Sequence, residues 1–192
     1  TVISNNEILN WDPVRIITGW PFVSAYEMGW QGDWAKGPAG GYGTNEIDWG
    51  FGDNDLFHLK YGRIYESWKW SVNSATNEGT LVYTIRPGVR YHVKNTDASR
   101  AIAGRAVTAD DVVALLKRSV TIGVDGFVWR ANPELRTADI SKTGPNEVTI
   151  KVPVSALYNA ITRLGGALYF YPPELVTKYG NTETYAKAQQ LF

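Results

Sequence analysis

The chain has no cysteine and only two histidines, His58 and His92, among 192 residues. Without thiols, a disulfide framework and a thiolate metal site are both excluded, while the compartment stays open. Two histidines with no H-E-x-x-H or similar spacing do not make a metal centre, which draws on three or four grouped nitrogen, sulfur or oxygen donors. Charge of one sign is also missing in excess: 19 basic and 19 acidic residues cancel. The chain therefore sets up no general field for nucleic acid or an anionic membrane surface, and Lys117, Arg118, Arg130 and Arg136 are too dispersed for a nucleic-acid stripe and read as solvated. No run approaches the roughly 20 apolar residues that span a bilayer. Thr1 to Asn6 has neither the basic start nor the apolar centre of a signal peptide.

Motifs of covalent chemistry are absent as well. There is no G-x-S-x-G, Walker-type or dinucleotide pattern, and the glycine-rich run Gly37 to Gly43 has no following Lys-Ser/Thr and opens no clear helix, so it reads as a surface loop. Asp110-Asp111 is a pair of carboxylates, but their place in the first turn of a helix is reason enough for them. A hydrolase using acidic residues would need two carboxylates across a cleft, and nothing selects such a pair. The sequence points to no catalytic residue, no metal site and no cofactor.

Hydrophobic content, 44%, is ordinary for a globular chain. Seven of the eight tryptophans lie before position 71, and such flat amphipathic side chains either fill small β-rich cores or line an aromatic pocket. Trp68 and Trp70, two apart, share one face of a strand and read as structural.

The most consistent local signals run from Tyr65 to Val120. Leu81 to Arg86 alternates, with Leu81, Tyr83 and Ile85 on one face, as a half-buried strand does. Pro87-Gly88 suits a tight turn, after which Val89 to Val93 is expected to return alongside. Lys94 to Arg105 reads as a surface loop. Thr108 is placed to cap a helix whose first turn holds Asp110 and Asp111 and whose last holds Lys117 and Arg118, matching the helix dipole. Val112, Leu115, Leu116 and Ser119 form its apolar stripe.

On either side the signals are weaker. Ile3 to Leu9 reads as a short strand ended at Trp11-Asp12-Pro13. Val23, Tyr26, Glu27 and Trp30 have helical spacing, and Gln31 to Tyr61 is the least regular stretch. Ile122 to Asn132 reads as a loop carrying two aromatics, Phe127 and Trp129, which either contact a ligand or pack back onto the sheet. Asp139 to Lys142 and Val148 to Val152 read as strands around the turn Gly144 to Glu147. Ser155 is placed to cap a short helix with Leu157, Ile161 and Leu164 in line, ended by Gly165-Gly166. Leu168 to Pro173 is extended, a helix runs from Pro173 to Gly180, and Thr182 to Phe192 reads as a last helix.

Several of these segments together carry a resemblance to a known family. Trp11-Asp12-Pro13, Tyr65-Glu66-Ser67-Trp68, Glu78-Gly79-Thr80, Tyr83-Thr84-Ile85-Arg86, Gly88-Val89, Tyr91-His92, Thr108-Ala109-Asp110-Asp111-Val112-Val113 and Pro173 to Gly180 stand in the order and approximate spacing of motifs in extracellular solute-binding proteins of ABC importers. The chain resembles the oligopeptide, dipeptide and nickel-binding group, family 5. It departs from that pattern at Lys94 to Arg105, which is longer than usual.

The resemblance implies a mixed α/β, periplasmic-binding-protein-like fold of type II, in the large peptide-binding subgroup. This chain would be the N-terminal part of the first lobe with its small α+β subdomain. Residues 1–25 would supply the first strand and crossover of the large lobe, 26–180 the small subdomain, and 181–192 the return towards the large lobe. By the same likeness a signal sequence or lipid anchor has been removed, and a C-terminal lobe of the same protein completes the cleft. Expected partners are a peptide or other small-molecule ligand and the membrane permease, with no nucleic acid, in a periplasmic or extracellular setting. The family's crossover past the cleft makes Trp20, Pro21, Phe22 and Tyr26 candidate ligand-lining residues, and the loop aromatics Phe127 and Trp129 join them. A carbohydrate-binding protein with an aromatic platform at Trp20, Trp30 or Trp34 is the alternative.

Overall fold

The computed structural model describes residues 12–15, 26–33, 60–92, 95–166 and 168–179. The strand expected at Ile3 to Leu9, the last helix from Thr182, and Trp20, Pro21, Phe22 and Trp34 lie outside these residues.

The described chain is mixed α and β, built on a four-stranded antiparallel sheet. Its strands are β4 (Tyr65–Asn73), β5 (Glu78–Ile85), β6 (Asp139–Gly144) and β7 (Glu147–Pro153), in the order β4-β5-β7-β6. The alternation in β5 works as expected: Gly79, Leu81, Tyr83 and Ile85 are buried while the residues between them are only partly so. Opposite them in register stand Val148, Ile150 and Val152 of β7, all buried. Each such aliphatic side chain removed from water stabilises the fold by about 1.5–3 kcal/mol.

Helix α2 (Ala109–Thr121) crosses the β6–β7 end of this apolar face. Its capping box is complete: the Asp111 backbone N–H donates to Thr108 Oγ1 at 3.3 Å, and the Thr108 N–H donates to the Asp111 carboxylate at 2.9 Å. Val112, Leu115, Leu116 and Ser119 are buried as the stripe requires. Helix α4 (Leu157–Ile161) covers β5 and β7. Between them lie the short α3 (Phe127–Ala131) and a 3-10 turn at Pro133–Leu135.

Two smaller strand pairs attach the earlier chain. β1 (Glu27–Met28) pairs with β8 (Tyr169–Phe170), and β2 (Trp30–Gly32) pairs with β3 (Lys60–Gly62). The helical spacing read at Val23 to Trp30 does not make a helix over 26–33, which is extended. Tyr26, Met28, Trp30 and Gly32 are buried, Glu27, Gln31 and Asp33 are partly exposed, and Gly29 is buried as well, and a four-residue separation such as Tyr26 to Trp30 fits either period. Pairing on both strands decides between them. Gly29 allows the close approach this needs, because a Cβ there would lie 2.3 Å from the Tyr65 ring.

Other expectations change for equally local reasons. Gly88 has φ of 80° as the turn requires, but no hairpin follows, since both edges of β5 are already occupied by β4 and β7. The returning chain bonds instead with 105–107: Tyr91 N–H donates to the Arg105 carbonyl at 3.1 Å and Val107 N–H to the Val89 carbonyl at 2.9 Å. The stretch read as a surface loop contains α1 (Asp97–Ile102), capped by Thr96. Ser155 sits within a 3-10 turn, Val154–Ala156, and α4 has no side-chain cap. Trp68 and Trp70 do share a strand face, but only Trp68 packs on the core, while Trp70 is 48% exposed. The helix after Pro173 is present as α5 (Glu174–Tyr179).

Candidate functional site

The turn at residues 12–15 ties the described elements together. Asp12 is 1% exposed and its carboxylate accepts from both terminal nitrogens of Arg118 on α2, with the Nη1 contact at 2.9 Å. Arg118 Nη1 also donates to Tyr171 Oη at 2.6 Å. Burial works against charge on Arg118, yet the Asp12 hydrogen bonds hold its pKa above the ordinary value. Burial likewise pushes the Tyr171 hydroxyl up, so it stays protonated at neutral pH. Arg118 is therefore the partly buried partner of a buried carboxylate, not the solvated face expected of it. Breaking such a pair by removing one member costs about 3–5 kcal/mol because the other charge is left buried alone.

The sequence-predicted site residues divide around this turn. Tyr26 is buried against the rings of Tyr169 and Tyr171, at 6.3 and 6.5 Å between centroids, and is linked to Asp12 through Tyr171 and Arg118. Phe127, the first residue of α3, donates its backbone N–H to the Val14 carbonyl at 3.0 Å. Trp129 is engaged elsewhere: the Arg136 guanidinium stacks 3.6 Å from its ring and donates to its carbonyl at 2.8 and 3.0 Å. Neither loop aromatic is fully exposed, because the segment coils into α3 and packs back on the molecule. Phe127 thus bonds the turn directly, Tyr26 reaches it only through Tyr171 and Arg118, and Trp129 is held by Arg136. Trp20, Pro21 and Phe22 follow that turn in the sequence but lie outside the described residues.

Beyond Arg118, between α2 and α5, is an open cavity of about 170 Å³ lined by Leu115, Arg118, Tyr171, Pro173 and Val176. Its walls are mainly apolar, and the polar groups among the described lining residues are the partly buried Arg118 guanidinium and the hydroxyls of Tyr171 and Thr177, which suits packing or a small apolar group. The nearby end of α5 is secured by Arg105, whose guanidinium bonds Asp111 at 2.6 and 2.7 Å and Glu174 at 2.6 and 2.7 Å. Hydrogen bonding to Arg105 lowers the Glu174 pKa, and Asp111 followed by Glu174 raises that of Arg105.

Asp110 and Asp111 do not converge on a common point. Asp110 is bound by Lys142 at 2.7 Å, while Asp111 serves the capping box and Arg105. Among the described residues no group of three or more His, Asp or Glu is placed to hold a metal ion, and no helix is long and apolar enough to cross a membrane.

A second feature escaped the sequence reading. After α4 the chain widens into a π-helical turn, Thr162–Gly166, a backbone form found often at functional positions. It rests on an aromatic floor. Tyr65 and Tyr83 stack at 3.9 Å with 7° between ring planes, and their hydroxyls each donate to a carbonyl of this region, Leu164 and Ile161, at 3.4 Å. Burial raises both hydroxyl pKa values far above ordinary, so both remain donors. Trp30 fills the space beside Gly165 and Gly166, where added Cβ atoms would come within 2.0 and 2.6 Å of its ring. Arg163 stands on this turn with its guanidinium 5.9 Å from the Phe127 ring centre. The only sequence signal for the feature was the pair Gly165-Gly166, which equally suits an ordinary helix end.

No protein-family model and no curated protein matches the chain. Among solved structures, the chain is similar to the 2.2 Å crystal structure of the ABC transporter substrate binding protein CtaP (Lmo0135) from Listeria monocytogenes. Identity is 17% and the TM-score 0.43, with 62% of this chain and 22% of that chain covered, so the likeness spans less than a quarter of the other protein's length.

Proposed function

We propose that this chain is part of the solute-binding component of an ABC importer, which captures peptides or related small solutes outside the cytoplasmic membrane and delivers them to a permease. The observation that carries this reading is that the family-like motifs occupy one structural unit. Tyr65-Glu66-Ser67-Trp68 opens β4, Tyr83 to Ile85 ends β5, and Thr108 to Val113 caps and begins α2. The Asp-Pro segment near the N-terminus joins the same unit through Asp12 and Arg118.

In this reading residues 26–180 are the small subdomain of a periplasmic-binding-protein-like first lobe, 1–25 and 181–192 belong to the large lobe, and a C-terminal lobe closes over the ligand. Closure requires only that the ligand bind the closed form more tightly than the open one, and the closed form then docks on the permease. No covalent step is involved. The protein would act in the periplasm or at the cell exterior, with a lipid anchor as one means of attachment. Trp20, Pro21, Phe22, Tyr26 and Phe127 are the proposed ligand-side residues. Trp129, held by Arg136, is the weakest of the set.

The carbohydrate alternative loses one of its supports, because Trp30 is fully buried and offers no stacking face. The first test is native against denaturing mass spectrometry of the intact protein, followed by calorimetric titration with peptides of two to five residues. Saturable peptide binding without turnover is expected. A folded intact protein that binds none of these peptides, or that hydrolyses them, would overturn the proposal.

A further inference from the structure

The two outer strands of the four-stranded sheet are finished differently. β6 is crossed by α2, its Lys142 is tied to Asp110, and its register with β7 shifts between Lys142 and Gly144. Such devices close a sheet edge to further pairing. β4 has its register shift at its start, between Tyr65 and Ser67, and runs regularly from there to Asn73. α4 lies over β5 and β7, while Lys69 to Asn73 are exposed, Trp70 at 48% and Val72 at 44%. No described strand pairs with the outer edge of β4.

The backbone of that edge is open as well. Ile85 donates its N–H to the Asn146 carbonyl at 2.7 Å, so by the alternation of an antiparallel ladder the odd-numbered residues of β5 turn to β7 and the even-numbered ones to β4. Opposite those even residues stand Lys69, Ser71 and Asn73. The N–H and C=O of Trp70 and Val72 are therefore directed away from the sheet. Main-chain groups in this state, beside two exposed apolar side chains, are a template for another strand.

The residues themselves indicate which strand fits. Antiparallel pairing of β4 with β4 of a second copy, about a two-fold axis at Ser71, sets Trp70 opposite Val72 of the second copy and Val72 opposite Trp70. An aromatic residue facing a β-branched one is a favourable cross-strand pair. Lys69 falls opposite Asn73 of the second copy, whose neighbour on the next strand is Glu78. Lys142 and Lys151 each hold a carboxylate of their own chain, and among the described residues Lys69 holds none. The register thus brings a carboxylate within side-chain reach of Lys69 and sets no charge opposite its like.

We propose that the intact protein self-associates through β4, two copies forming one continuous antiparallel sheet about an axis at Ser71. Pairing over about five to seven residues of each copy buries on the order of 1,000 Å² in total, the lower limit for a specific interface, so the dimer is weak and forms at high micromolar concentration. The contact is isologous and uses up the edge, so assembly stops at two. The proposal is independent of the solute-binding reading.

Two measurements on the intact protein test it. In sedimentation velocity from about 10 to 500 µM the mass is expected to rise from monomer towards dimer and no further, and Trp70→Lys, at a half-exposed position, to weaken association at least about tenfold with little change in thermal midpoint. The lack of native cysteine allows the register to be read directly. Ser71→Cys would meet its own copy at about 4.5–5.5 Å between Cα atoms, within disulfide reach, whereas Lys69→Cys would lie about four residues, or roughly 13 Å, from its copy. Under mild oxidation Ser71→Cys is expected to cross-link at least about tenfold faster than Lys69→Cys.

A monomer over the whole concentration range, growth beyond the dimer, or equal cross-linking at the two positions overturns the proposal. So does a dimer that folded Trp70→Lys leaves unchanged. Should Trp70→Lys fail to fold, the cross-linking comparison decides by itself.

Discussion

Two helical segments cover the same sheet and are made in opposite ways. Helix α2 carries its instructions within 14 residues, Thr108 to Thr121: a cap, acids in the first turn, a base in the last and an apolar stripe between. The α4 segment with its π-helical turn has no side-chain cap and is only ten residues long, Leu157 to Gly166. It is held from outside by Tyr65, Tyr83 and Trp30. An isolated helix of that length is not stable in water. Its shape is therefore a property of the surface beneath it, whereas that of α2 is written locally and merely completed by packing.

The sharpest way to break this contrast is at α2's buried face. Leu116→Asp would place an unpaired charge at a fully buried position, and a loss of about 4 kcal/mol or more is expected, enough to unfold the unit. A thermal midpoint within a few degrees of wild type would show that α2 does not pack as described. Gly165→Ala comes next. Its Cβ would fall 2.0 Å from Trp30 Nε1 and 2.6 Å from Tyr83 Oη, so about 3 kcal/mol of overpacking is expected in urea unfolding. Combining it with Trp30→Leu should recover part of its cost. Strict additivity of the two changes would mean that the aromatic floor does not shape the π-helical turn.

Thr108→Ala removes the cap and should cost about 1 kcal/mol. A cost near zero would mean that Asp111 alone secures the α2 N-terminus. The smallest effect is expected at Glu174, which is half exposed. Arg105 holds its folded pKa below the ordinary 4.5. The deprotonated carboxylate therefore favours the folded state above about pH 4.5, and that contribution fades as pH falls through the lowered folded value. Glu174→Gln should accordingly lower stability slightly at pH 7, by less than about 1 kcal/mol, and make no difference near pH 3. An equal effect at both pH values would exclude the ion pair as its cause.

The same contrast explains which parts of the molecule could be read in advance. The strands β5, β6 and β7 and the helix α2 follow from period and capping, since each needs only neighbours within a few residues. The hairpin expected after Gly88 failed because turn chemistry is local but the availability of a sheet edge is not. Tyr26 and Trp30 fit both helical and strand periods, and only pairing with 169–170 and 60–62 selects the strand. At the site, Asp12 and Arg118 are 106 residues apart. Nothing near either one announces that the two charges will be buried together.

Residue order alone settled the class of the chain, the absence of thiol chemistry and the elements whose code is local, because helix caps, turns and hydrophobic periods act over distances shorter than one element. Which strand takes which edge, which aromatics form a floor, and which carboxylate is buried with which arginine depend on contacts between segments far apart in the chain. Those contacts exist only after the entropy of bringing the segments together has been offset by their common burial.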